Sequence, residues 1–152
     1  MGWDEYYRRR DALNSVIERG ELFVPDPFAG PTEVLLALHH RWSLQLAGRV
    51  ELATDSGDPA DDPADAVGAA WRAAAAANPA LLRLLDEHAD HPPLRALIRA
   101  EQRMLARAAG LTGPEDGRLE QAALGAAFVT LQRNGPRRNP VERFLRKLVP
   151  SG

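Results

Sequence analysis

Apolar residues recur at three- and four-residue intervals through most of the chain, and proline or glycine interrupts the pattern at intervals. That period belongs to the α-helix. The interruptions have a common form: Gly30-Pro31, Asp62-Pro63, Asn78-Pro79, His91-Pro92-Pro93, Gly113-Pro114 and Asn139-Pro140 each stand just before a periodic stretch. Proline suits the first helical position because its missing N–H would have had no partner there. The pattern predicts helices at 4–19, 32–53, 63–77, 80–90, 93–109, 115–134 and 140–148. No stretch alternates apolar and polar residues long enough to argue for a strand. The expected fold is all-α: one domain over 1–152, an orthogonal or antiparallel bundle of about six to seven helices. Loops are expected at 20–30 and 54–65, and a basic segment at 135–152.

The faces of these helices nominate the core. Leu35, Leu38, Trp42 and Leu46 share one face of the second helix, with His39 and Val50 beside it. Trp71 sits next to Val67 and Ala70 on the third. Two tryptophans facing small residues read as core anchors. In the fifth helix Leu94, Leu97, Ile98, Met104, Leu105 and Ala108 form a stripe with Glu101 in its middle. A carboxylate in that position needs a polar partner, because burying it unpaired is costly. Histidine or arginine is the expected partner. Glu101, Trp42, His39 and Trp71 are therefore the candidate lining of a ligand pocket. The helix at 115–134 is apolar around nearly its whole circumference, so one packing surface cannot bury it all. A homodimer is expected through Leu124, Phe128 and Leu131, the side opposite Leu119, Ala122, Ala123, Ala126 and Thr130.

Composition then removes whole classes of chemistry. There is no cysteine, so disulfides, thiolate catalysis and cysteine-held metal centres are excluded. No apolar run approaches the roughly 18 residues that a bilayer span needs. The first residues carry no basic-then-apolar leader pattern, and a cytoplasmic location without membrane attachment is the expectation. Net charge is −2, so bulk electrostatics name no partner. The distribution is uneven: six carboxylates and no cation lie between Glu51 and Asp65, and six cations with one carboxylate between Arg133 and Lys147. Because 18 of the 19 basic residues are arginine in an alanine-rich chain, arginine enrichment by itself reads as coding bias. Two arginine groups still qualify as anion or partner surfaces. Arg95, Arg99, Arg103 and Arg107 form a row along one helix, and Arg137 and Arg138 belong to the basic tail.

Candidate catalytic chemistry is sparse. His88 and His91, three apart at a helix end, could share a metal ion only if His39 or His40 completed the site across the fold. As residues of a last helical turn they serve equally to cap free carbonyls. His39 and His40 point about 100° apart on a helix and cannot chelate together. No serine sits in a nucleophile elbow, no phosphate-binding glycine loop occurs, and no cofactor is expected.

The stretch from Gly30-Pro31-Thr32-Glu33-Val34 to His39-His40-Arg41-Trp42 resembles the linking helix of tetracycline-repressor-type regulators. The blocks Ala80-Leu81-Leu82-Arg83-Leu84-Leu85 and Pro93-Leu94-Arg95-Ala96-Leu97 look like body helices of that family. The resemblance spans roughly residues 30–134. It implies a ligand-sensing, dimer-forming helical body. The family's DNA-reading head is not matched, since only about 30 residues precede the linking helix and no helix-turn-helix is recognisable among them.

These observations favour a non-enzymatic binding or regulatory protein that acts through a protein partner or a small apolar ligand. Two other readings stay open: a nucleic-acid-associated protein using the basic C-terminal segment, and a metal-dependent enzyme using His88, His91 and Glu101.

Overall fold

The computed structural model describes residues 2–55 and 62–134. They form six helices: α1 (Trp3–Arg19), α2 (Pro31–Asp55), α3 (Pro63–Ala77), α4 (Pro79–Glu87), α5 (Pro92–Ala108) and α6 (Arg118–Arg133). No strand occurs among the described residues. The expected helix at 140–148, and Arg137 and Arg138 of the basic tail, lie outside them.

Local chemistry sets the helix ends. Gly20 stops α1 in the left-handed conformation, at φ 73°, and its N–H returns to the Val16 carbonyl. A side chain there would be strained. Asp62 caps α3 by accepting from the Ala64 N–H at 3.0 Å, with Pro63 at the first helical position. The acidic connector is shorter than expected because α2 continues to Asp55. Helix α6 begins three residues later than expected, since 112–116 form a closed turn. The Asp116 carboxylate accepts the Thr112 hydroxyl at 2.6 Å and the Gly113 N–H at 2.9 Å. These bonds, the hydroxyl first, hold its pKa below the usual value.

Helix α2 is the central element and packs on α1, α3, α4 and α5. Its buried residues Val34, Leu35, Leu38, Trp42, Leu46 and Val50 repeat at helical spacing. Trp42 meets Trp71 of α3 edge to face, with centroids 6.3 Å apart and planes at 78°, a favoured aromatic geometry. Leu81, Leu84 and Leu85 of α4 and Leu94 and Leu105 of α5 complete the same core. Each such side chain contributes on the order of 1.5–3 kcal/mol through burial. The loop aromatics also turn inward: Phe28 is buried under the Arg9 guanidinium, 4.6 Å from its ring centre.

Helix α5 lies between α2 and α6, and its contact with α6 is the most extensive among the described helices. Gly125 makes that contact close. A Cβ at this position would fall 1.9 Å from the Gln102 carbonyl oxygen. Gln121, buried beside it, donates to the carbonyls of Gly113 and Asp116 at 3.1 and 3.0 Å, tying the preceding turn to α6. Arg133 at the far end of α6 holds Asp86 of α4 through two 2.8 Å bonds and lies over Trp71.

This packing corrects the expected face of α6. The inward residues are Gln121, Ala122, Gly125 and Phe128. Phe128 is 5% exposed, inside the chain's own core, and is not available as a dimer contact. Leu119, Leu124 and Leu131 face outward. The glycine brings two backbones together, and Phe128, three residues on, joins the core.

Candidate functional site

Helices α2 and α5 diverge enough to leave a solvent-open groove of about 660 Å³ between them. Drug-sized ligands occupy cavities of this order. Its α2 wall includes Leu36, His40, Ser43 and Ala47, one turn apart on the flank of the core face. Its α5 wall includes Pro93, Leu97, Ala100 and Met104 at the same helical spacing. His39, Leu46 and Glu101 lie deeper. The surface is mainly hydrocarbon, and among the described residues no arginine or lysine lines it.

At the bottom, His39 Nε2 and Glu101 Oε1 approach to 3.2 Å, their side chains only 8% and 14% exposed. That is an ion-pair distance, yet the two groups are not aligned for a hydrogen bond. Both atoms are buried and without a hydrogen-bond partner. The other imidazole nitrogen, Nδ1, is 3.2 Å from the Ser43 hydroxyl one turn along α2. Ser43 therefore orients the ring and leaves Nε2 toward Glu101. Buried polar atoms are nearly always satisfied in folded proteins, and leaving one unsatisfied costs about 1–3 kcal/mol. The two atoms face each other, closed to solvent, beneath the apolar groove.

The sequence-predicted residues separate cleanly. Glu101 and His39 meet, as the stripe position of Glu101 suggested. Trp42 and Trp71 do not line the groove. They meet edge to face in the core, 1% and 3% exposed, which removes them from the candidate pocket. The groove residues that sequence reasoning missed are Leu36, Ser43, His40, Leu97, Ala100 and Met104. The one local signal was Ser43, four residues after His39 and hence on the same helical face. The rest depend on which helix packs opposite.

The structure does not bring His88, His91 and Glu101 together. His88 Nδ1 is 2.9 Å from the Leu84 carbonyl at the end of α4, and His91 Nε2 is 2.8 Å from the Thr32 hydroxyl at the start of α2. Among the described residues no group of three or more histidines and carboxylates could hold a metal. In the arginine row of α5, Arg95 is engaged by Asp90, through the carboxylate at 3.8 Å and the backbone carbonyl at 3.1 Å. Arg99 and Arg107 are exposed and Arg103 is half-buried.

No described helix is long and apolar enough to cross a membrane. Comparison with family models, with curated proteins and with solved structures finds no match to this chain.

Proposed function

We propose that the chain is a non-enzymatic binding module whose α2/α5 groove takes a small amphipathic ligand, with an apolar body along the hydrocarbon walls and a polar head among its few polar side chains. The observation that carries this reading is a ligand-sized, mainly hydrocarbon groove with a few polar side chains, His40, Ser43 and the His39–Glu101 pair, placed along it. A binding site keeps polar capacity for its ligand, and a few placed polar groups in an apolar cleft are the usual anatomy of small-molecule sites.

This is the kind of activity that the tetracycline-repressor-type resemblance implies, a ligand-sensing helical body acting in the cytoplasm, and both remain part of the proposal. Self-association is a separate part of it. With Phe128 inside the core, a two-fold contact would use the outward Leu119, Leu124 and Leu131, of which Leu119 is 79% and Leu131 67% exposed. Sedimentation of the protein and of Leu131→Glu tests that contact. A monomer at micromolar concentration rejects it.

Titration with small amphiphiles, each an alkyl chain with one polar head, tests the ligand reading. The methyl resonances of Leu36, Leu97 and Met104 should shift, and Ala100→Phe, which fills the groove from an exposed position, should abolish the shift. If no amphiphile moves these methyls, the reading fails.

A further inference from the structure

We infer that Ser43 is an activated nucleophile that takes the acyl group from an activated ester of an apolar acid seated in the groove; the inference rests on the groove being the ligand site and adds a covalent step to that reading. Three side chains from two helices stand in sequence. The Ser43 hydroxyl is 3.2 Å from Nδ1 of His39, and the other nitrogen of the same ring, Nε2, is 3.2 Å from Oε1 of Glu101. A hydroxyl, an imidazole and a carboxylate in that order are the parts of an activated serine. Only the first of the three has to meet the ligand. Ser43 is half-buried and lines the groove. The facing atoms of His39 and Glu101 are closed to solvent, as suits the acid end of such a relay.

The carboxylate decides which imidazole nitrogen accepts. An N–H at Nε2 faces the negative Oε1 favourably, whereas a lone pair there would be repelled. The ring proton therefore sits on Nε2, and Nδ1 accepts from the Ser43 hydroxyl. Coulomb attraction does this without the alignment that a hydrogen bond needs. In the reaction Ser43 Oγ bonds to the acyl carbon as the bond from that carbon to the leaving oxygen breaks. The Ser43 proton passes to Nδ1 and from there to the departing oxygen. Glu101 faces the imidazolium formed in between and is a positioning residue. Leu36, Leu97, Ala100 and Met104 hold the acyl chain. Ser43 lies in the middle of α2, where backbone N–H groups are committed to carbonyls of the preceding turn, so the helix lends none to an oxyanion. The step accordingly requires a good leaving group. The serine ester it forms has a poor one and persists, so the ligand is retained rather than turned over.

The test treats the protein with 4-nitrophenyl hexanoate and maps acylated residues by peptide mass spectrometry. Hexanamide, an unreactive analogue, reports groove binding through the methyl shifts of Leu97 and Met104. Ser43 should gain a hexanoyl group, while Ser15, whose hydroxyl donates instead to the Asp11 carbonyl at 3.0 Å, should not. His39→Gln should slow acylation of Ser43 about 100-fold or more, and Glu101→Gln about tenfold or more, with the hexanamide shifts retained in both. Ser43→Cys should keep acylation at position 43. Acylation of Ser43 at an unchanged rate in His39→Gln overturns the relay. No acyl group on Ser43 in the unaltered protein, while hexanamide still shifts the groove methyls, overturns the inference and leaves the ligand reading standing. Absence of both acylation and shifts overturns both. Repeated release of 4-nitrophenolate that Ser43→Ala abolishes would keep the nucleophile and overturn the non-enzymatic reading.

Discussion

Two grooves run along α2, and they differ in the one respect that bears on function. The groove on the α1 side is the larger, about 820 Å³ against about 660 Å³, and the two share Leu36 and His40 on their rims. On the α1 side the charged groups have partners. Arg9 pairs with Glu33 at 3.0 Å, Glu33 also accepts the Ala29 N–H, and Arg41 donates to the Asn14 side chain at 2.6 Å and to the Arg10 carbonyl. On the α5 side the buried pair is left unsatisfied. Size therefore does not distinguish a site from a seam. The α1 side is a seam where a lightly packed helix is fastened by polar contacts. The α5 side holds one unaligned polar pair beneath a greasy cleft.

The largest expected effect comes from moving one wall of the second groove. Gly125→Ala places a methyl 1.9 Å from a backbone oxygen of α5, and no flexible side chain is there to yield. The variant should lose about 3 kcal/mol or more of stability, seen as a drop in thermal midpoint of roughly 10 °C. Where it still folds, α5 is displaced, so resonances of Leu97 and Met104 should shift while those of Leu13 and Asn14 on the α1 side stay. A midpoint unchanged from wild type would mean that the two helices do not approach so closely.

A smaller effect, of opposite sign, should follow from making the α5 groove entirely apolar. Replacing an unsatisfied buried polar pair by hydrocarbon of similar size tends to stabilise. Glu101→Met with His39→Leu should raise stability by about 1–2 kcal/mol in denaturant melts. Loss of stability in the double variant would mark the pair as a structural ion pair and remove the contrast between the grooves. Arg41→Met is the matching change on the α1 side. It removes satisfied contacts at a partly exposed position, so it should destabilise by less than about 1 kcal/mol.

The sequence carried this contrast only halfway. Periodicity was enough for the helices, for the core face of α2 and for the anomaly of Glu101, because each is a property of one helix. Trp42 and Trp71 were legible as anchors for the same reason. The groove was not legible, because it exists only where the flanks of α2 and α5 face each other. The face of α6 was misjudged on different grounds. In Ala122-Ala123-Leu124-Gly125-Ala126-Ala127-Phe128 apolar residues point in every direction, so hydrophobicity carries no phase. The available clue was Gly125, the residue whose missing side chain lets α5 approach, and it places Phe128 three residues on along the same inward face.

The smallest expected effect separates the grooves by acidity. Glu33, on the α1 side, is held below its usual pKa of 4.5, first by the Ala29 N–H and then by the Arg9 guanidinium. A carboxylate whose folded pKa is depressed contributes stability that is present above its unfolded value, and this is lost as pH falls through the folded one. The contribution of Glu33 should therefore be complete near neutrality and disappear on acidification below about 4.5. Glu33→Gln should flatten the decline of the denaturation midpoint over that interval. Arg9→Met should flatten it less, because the larger cause, the backbone N–H, stays in place. If the two variants acidify alike, the guanidinium rather than the backbone governs Glu33. If Glu33→Gln follows the wild-type curve throughout, the carboxylate has no stabilised charge, and the α1 side is no better satisfied than the groove it is compared with.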